Sequence, residues 1–313
     1  MAVYCNGLSL ANTMKTSIKK AVFPVAGLGT RLLPATKVIP KEMLTIVDRP
    51  VIQLVVEEAR EAGIEHFIFV TGRNKGTIED HFDKQYELED ALRLRGKSLE
   101  LDLLAMGLPA AGQASFTRQQ EPLGLGHAIW CARALVGEEP FAILLPDMLI
   151  HAKPGCLSQM VEIYTQTGGN IIAVEQVPAE HVHRYGVVAP GKKLGGAFEI
   201  TDMVEKPRVE SAPSNLIISG RYILQPSIFA KLAKQRRGAG GEIQLTDAMI
   251  ELVREEPFYG LQFVGRTFDC GDRLGFLLAN MAYGLEHELV GKEFRAALID
   301  YLKSTGIASS ERS

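Results

Sequence analysis

The sequence predicts an α/β fold with a mainly parallel central sheet flanked by helices and a smaller β-rich portion towards the carboxyl end. Three observations predict it. Short apolar runs bounded by Gly, Pro and Asp recur through the first half, as expected of strands buried on both faces. Amphipathic stretches separate those runs, the alternation in which crossover helices join parallel strands. With 46% hydrophobic and 23% charged residues, the 313-residue chain can bury a large core and does not have the composition of a disordered one.

Taken in order, residues 1–17 carry no sustained period and read as a flexible leader, with Met14 close before the first strand. KKAVFPVA (19–26) is the first apolar run, and a Gly- and Pro-punctuated loop follows through Asp48. Pro50 opens a helix whose apolar positions Val51, Leu54, Val55 and Ala59 share one face, and Gly63 stops it. HFIFVTG (66–72) is a strand, 75–95 is helical and charge-rich, SFTRQ (115–119) is a strand and 126–135 a helix. FAILLPD (141–147) reads as a strand ending in an aspartate, followed by a helix over 155–167 and the strand IIAVEQV (171–177). After residue 180 short strands are expected at 186–189, 197–204 and 215–224. Helices near 226–234 and 245–255, a strand near 258–265 and two helices within 273–304 close the chain. No linker divides the two parts. One continuous domain over 18–305 is therefore expected, with parts at about 18–180 and 181–305 and a flexible tail at 306–313.

Composition narrows the function classes. Lys and Arg number 34 against 37 Asp and Glu, a formal charge of −3, which lacks the basic surplus of a nucleic-acid binder. No run of 18 apolar residues is present to span a bilayer. The first lysines follow the early apolar stretch, whereas a secretory signal needs them before it. Cys5, Cys131, Cys156 and Cys270 are scattered and form no CxxC, the pattern of reduced thiols in a cytoplasmic protein.

The most informative segment is AGLGTRLLPATKVIPKEM (26–43), directly after the first apolar run. A Gly-rich loop at the carboxyl end of a first strand is where open α/β sheets bind phosphorylated ligands, with backbone amides facing the ligand. A dinucleotide fingerprint fails here: Gly27 and Gly29 have no third glycine partner, and Pro34 and Pro40 interrupt the helix it requires. A Walker loop fails because no GK[ST] follows. What the loop does carry is three cations in eleven residues, Arg31, Lys37 and Lys41. A solvated turn would explain them, but a polyphosphate, whose charge needs several donors, explains them better.

Elsewhere the residues alone leave alternatives open. Asp147 either caps a turn or serves chemistry. Asp272 stands where it would cap the last helix pair. His127 at a helix start reads as structural, and His181 and His183 lack partners at ligand spacing. Glu205 and Lys206 in MVEKP (203–207) would ordinarily be a solvated pair, pointing to opposite sides of an extended strand.

The loop resembles the signature GxGTRLxPxTxxxPK of the sugar-nucleotide pyrophosphorylases. Further blocks follow in that family's order: RQQEPLGLGHA (118–128), LLPDMLI (144–150), RYGVV (184–188), MVEKP (203–207), APSNLIISGRYIL (212–224), GEIQLTDAM (241–249) and FDCGDRLG (268–275). The resemblance covers about 18–304. Ala26 before Gly27, the charged insertion near 75–95 and GLGHA resemble the uridylyl-transferring branch of bacteria, while Thr45 departs from a usual proline.

This resemblance implies a Rossmann-like, mixed and mainly parallel sheet of the nucleotide-diphospho-sugar transferase type, with a β-rich sugar-binding portion. It implies uridylyl transfer from UTP to glucose 1-phosphate, with Arg31 and Lys41 on the triphosphate and Mg²⁺ on Asp147 and Asp269. It further implies that Gln119 and the backbone of Gly124, Ala26 and Gly27 read the uracil. Gly186, Glu205 and Lys206 would hold the sugar phosphate, and the enzyme would be a cytoplasmic homo-oligomer. The same fold acting on dTTP or another hexose phosphate, or a silent binding paralogue, are the competing readings. A phosphate monoester is already largely dianionic at neutral pH, its second pKa being about 6. No general base is needed, which matches the absence of a His–carboxylate or Ser–His constellation.

Overall fold

The computed structural model describes residues 17–306. The leader and tail expected at the two ends lie outside these residues, except for their innermost positions, 17 and 306. The chain runs β1 (Lys20–Pro24), β2 (Thr45–Ile46), β3 (Arg49–Pro50), α1 (Val51–Glu61), β4 (His66–Thr71), α2 (Gly76–His81), α3 (Tyr86–Leu94), α4 (Ser98–Ala105) and β5 (Ala114–Arg118). It continues α5 (Leu125–Cys131), α6 (Arg133–Val136), β6 (Phe141–Leu144), β7 (Met148–His151), α7 (Cys156–Thr167), β8 (Asn170–Gln176), β9 (Gly186–Leu194), β10 (Ala197–Glu205) and β11 (Leu216–Leu224). It closes with α8 (Ile228–Leu232), α9 (Leu245–Leu252), β12 (Phe258–Gln262), β13 (Arg266–Asp269), α10 (Arg273–Glu286) and α11 (Gly291–Ser304).

Nine strands form one mixed sheet in the order β5-β4-β1-β6-β11-β8-β12-β10-β9. Parallel pairing runs through β5, β4, β1 and β6 and recurs between β8 and β12. β11 lies antiparallel between β6 and β8, and β10 is antiparallel to both β12 and β9. Each antiparallel pair of this sheet thus includes a strand after residue 180, while a single sheet passes through both parts of the chain. β1 explains its own apolar run: Ala21 and Phe23 pack into the core under α1 and α7, while Val22 packs on the other face beneath α5, α8 and α9. Burial on both faces leaves no position for a polar residue between Lys20 and Pro24.

Some elements differ from expectation. The strand expected to end in Asp147 stops at Leu144, and Asp147 sits in the turn that follows. The helix over 126–135 is two short pieces, α5 and α6. β7 and β13 were not anticipated. Each is four residues long, too short for a period to show, and they pair only with each other as a separate antiparallel ribbon. Among the described residues no helix is long and apolar enough to cross a membrane.

Candidate active site

Beyond Pro24 the glycine loop folds as three single 3₁₀ turns, Thr30–Leu32, Ala35–Lys37 and Lys41–Met43, separated at Pro34 and Pro40. The prolines forbid a continuous helix, so the cations fan out along the loop. Thr36 Oγ1 donates to the carbonyl of Gly29 at 2.7 Å, tying two of these turns together. Lys41 folds back under the first glycine, its Nζ 3.9 Å from where a Cβ on Gly27 would stand.

Two carboxylates meet these cations. Lys41 Nζ donates to Asp147 Oδ2 at 2.5 Å, and Arg31 Nη1 donates to Asp269 Oδ2 at 3.0 Å. Arg31 also lies 3.8 Å from Asp147 Oδ2. Lys37 is exposed and joins neither carboxylate. The ribbon of β7 and β13 brings the acids together. Asp269 pairs with Met148, and Cys270 N–H donates to the Asp147 carbonyl at 2.7 Å. Burial pushes the Asp147 carboxyl up, but Lys41 and then Arg31 outweigh it and hold it below the ordinary carboxylate value. Burial likewise pulls Lys41 down, and Asp147 and Glu42 more than restore it.

Gly271 lies between the two acids. A Cβ there would stand 2.9 Å from Asp269 Oδ1 and 3.0 Å from Asp147 Oδ2, and would strike the Arg31 guanidinium. Two carboxylates meeting across a glycine suit a hard cation that completes its shell with phosphate and water oxygens, once Arg31, whose guanidinium occupies that gap, has turned to phosphate. Burial and the neighbouring Asp269 push the Cys270 thiol up to about 12. The residues present therefore fit Mg²⁺, although among the described residues no group of three or more His, Cys, Asp or Glu is gathered for a metal. Asp272 does cap α10, accepting from Gly275 N–H at 2.9 Å.

Gln119 is buried at the end of β5, its side-chain amide donating to the Gly124 carbonyl at 3.0 Å and meeting His127 Nδ1 at 3.1 Å. That commits the nitrogen and leaves the carbonyl oxygen to accept. Gly124 has φ 113, and a Cβ on it would strike Ile243 O at 2.8 Å. Only glycine fits this packing of the loop on 242–244. His127 is stacked on Trp130 at 6.1 Å and bonded to Gln119, and burial lowers its pKa, a supporting arrangement for the Gln119 amide. On the other side of this region Gly72 makes room for Ala26, whose carbonyl is 3.2 Å from the Gly72 Cβ position.

Gly186 pairs with Glu205 across β9 and β10. A Cβ on Gly186 would stand 3.1 Å from Glu205 Oε2, 2.9 Å from Ile218 and 3.2 Å from Thr246, so the protein itself demands glycine there. Lys206 departs from the expected extended strand: its φ is 47, and its N–H donates to the Tyr185 carbonyl at 3.0 Å. β10 ends at Glu205, and the left-handed residue after it swings the lysine out of the sheet's alternation. Its Nζ stays 3.6 Å from Glu205 Oε1, the lysine side chain half-exposed and the glutamate mostly buried. Burial raises the Tyr185 phenol, with Arg184 opposing the rise and Asp269 adding to it.

Sequence reasoning missed Gly271 and the buried Lys75–Glu42 ion pair, 2.8 Å long, which pins the turn carrying Lys41 to the start of α2. A glycine lying between Asp269 and Asp272, directly after Cys270, was the available signal for the first, whereas nothing local marks the second.

The nucleotidyl transferase family model matches residues 20–284. The chain is 48% identical over 286 residues to UTP–glucose-1-phosphate uridylyltransferase 2 of Staphylococcus saprophyticus, covering 91% of this chain and 97% of that protein. It is 46% identical over 288 residues to UTP–glucose-1-phosphate uridylyltransferase of Bacillus subtilis, covering 91% and 96%. Among solved structures it resembles a UTP-bound UGPase from Acinetobacter baumannii, with TM-score 0.84, 45% identity and coverage of 90% and 99%. It also resembles a UDP-glucose pyrophosphorylase complexed with UDP-glucose, with TM-score 0.76, 46% identity and coverage of 85% and 98%.

Proposed function

This chain belongs to the nucleotidyl transferase family, and on that premise we propose that it transfers the uridylyl group of UTP to α-D-glucose 1-phosphate, giving UDP-glucose and pyrophosphate. The observation that carries the reading is the meeting of Arg31 and Lys41, from one Gly/Pro-shaped loop, with Asp147 and Asp269. An oxygen of the sugar phosphate attacks the α-phosphorus in line. A new P–O bond forms as the bond to the β-phosphate breaks, and pyrophosphate leaves with its electron pair. Catalysis is then positioning and neutralisation of like-charged reactants.

Arg31 and Lys41 grip the triphosphate in exchange for their carboxylate partners. Asp147 and Asp269 would hold Mg²⁺, which supplies further neutralisation of phosphate charge. Lys206 holds the incoming phosphate, and Glu205 accepts from glucose hydroxyls beside Gly186. Gln119, its amide nitrogen already committed, offers its oxygen to the uracil N3–H, and the backbone of Ala26, Gly27 and Gly124 surrounds the base. Cytosine carries an acceptor at that ring position and would leave the Gln119 oxygen unpaired.

Free Cys131, Cys156 and Cys270 support a reducing, cytoplasmic setting. Exposed Leu274, Leu277, Ile299 and Tyr301 on the last two helices support a homo-oligomer. The test of function is pyrophosphate release over a panel of nucleoside triphosphates and sugar 1-phosphates. UTP with glucose 1-phosphate is expected to give the highest kcat/KM, and a clear preference for dTTP would move the assignment to thymidylyl transfer.

A further inference from the structure

Arg221 is fully buried in β11 and takes no part in the chemistry described above. Its Nη2 donates to Glu58 Oε2 at 2.8 Å, and its Nε lies 3.1 Å from each oxygen of the same carboxylate. Glu58, on α1, also accepts from Leu157 N–H of α7 at 3.1 Å. The remaining guanidinium nitrogen points the other way. Nη1 donates to the Leu145 carbonyl at 3.1 Å and to Gly220 O at 3.2 Å.

That Leu145 carbonyl opens the turn that carries Asp147. Met148 N–H donates to the same oxygen at 3.2 Å, closing Leu145–Pro146–Asp147–Met148, while Leu145 N–H donates to Gly220 O at 2.9 Å. Gly220 has φ 73 at an irregularity of β11, and a Cβ there would stand 3.2 Å from Leu145 and 3.1 Å from Met148. The turn thus rests against the β11 backbone and is held from beneath by one guanidinium. A buried ion pair is weak evidence of stabilisation, because hydrophobic replacements are often as stable. What an apolar side chain cannot do is donate to a carboxylate on a helix and to a carbonyl in a turn at the same time.

We infer that Arg221 is a positioning residue: braced by Glu58, it fixes the Leu145–Met148 turn and so the place of the Asp147 carboxylate. This rests on the uridylyl-transfer reading, since Asp147 there faces the metal and the triphosphate. The lysine and glutamate at the sugar phosphate do not touch this turn, so the effect falls on one substrate.

The test uses E58Q/R221M, which removes both charges while Gln still accepts from Leu157, and R221K, which keeps a cation but cannot span both partners. UTP binding is titrated calorimetrically with and without Mn²⁺, beside full kinetics of the wild type. In folded E58Q/R221M the tightening of UTP binding by Mn²⁺ is expected to fall at least tenfold. Turnover should fall with it, while the KM for glucose 1-phosphate stays within twofold of wild type. R221K is expected to show the same pattern with a smaller loss, and it carries the test if the double variant does not fold. Wild-type tightening by Mn²⁺ in the folded variants, or equal losses for both substrates, would overturn the role of Arg221. Absence of wild-type turnover with UTP and glucose 1-phosphate would instead overturn the functional reading.

Discussion

Arg31 and Lys41 reach Asp269 and Asp147 across 238 and 106 residues of chain, whereas Glu205 and Lys206 are neighbours in sequence, 3.6 Å apart in space. At the proposed nucleotide end Arg31 and Lys41 already have carboxylate partners, so these charges are balanced before substrate arrives. In the proposed reaction phosphate takes over these cations, and the freed acids then need a cation of their own. At the sugar end Lys206 is half-exposed and set by one left-handed backbone residue, available to a phosphate with little rearrangement. Long-range pairing makes the first end sensitive to global geometry, and local backbone makes the second a short, separable unit.

The largest effect should come from breaking the nucleotide end. Asp147→Asn keeps size but removes the charge shared by Lys41 and the expected metal. Its kcat should fall by roughly 10²–10³-fold, the scale for losing one preorganised electrostatic group. The circular dichroism spectrum should be unchanged, and raised Mg²⁺ or Mn²⁺ should recover part of the loss. Pyrophosphate release within a few-fold of wild type would take Asp147 out of the site.

Lys206→Ala sharpens the contrast from the other side. Its kcat/KM for glucose 1-phosphate should drop about 30-fold, corresponding to about 2 kcal/mol, the low end for a lost charge partner because the lysine is half-exposed. The KM for UTP should hold. Two-substrate kinetics separate the outcomes, and parallel losses for both substrates would show that the two ends act as one.

Within the sugar end, Glu205→Gln exchanges an acceptor for a donor at nearly the same shape. Preference for glucose over galactose and mannose 1-phosphates should fall by roughly tenfold, about the worth of one hydrogen bond. Turnover with glucose should change less, and retained selectivity would return Glu205 to the role of a partner for Lys206.

The smallest effect is thermodynamic. Asp147 is held below its ordinary value in the folded protein, so its contribution to stability is complete above its unfolded pKa of about 3.9 and lost as pH falls through the lower folded value. The difference in melting temperature between wild type and Asp147→Asn should therefore be constant near neutrality and shrink below about pH 4. A difference that grew on acidification would contradict the sign of the shift.

The first loop of the candidate site could be read locally because its features are local. Glycine for close backbone approach, proline to break a helix and spaced cations for phosphate are properties of a short segment, and 26–43 displays all three. Asp272 was likewise legible as a cap, since an N-cap needs only a few residues of helix behind it. The expectation failed at Asp147, where the apolar run suggested a strand to its end and the chain turns two residues earlier, and at Lys206, whose left-handed backbone no alternation pattern announces.

By itself, then, the amino-acid sequence determined the succession of buried strands and helices, the glycines, prolines and spaced cations of the first loop, and a series of motifs sufficient to place the chain among its relatives. Tertiary structure alone decided that β11 enters between β6 and β8, that the β7–β13 ribbon sets Asp269 beside Asp147, and that Arg221 donates to the turn that carries Asp147. The reason is physical. Propensity and side-chain chemistry act over a few residues, whereas which acid meets which cation depends on strand order and register, and those are settled only when the whole apolar surface is buried together.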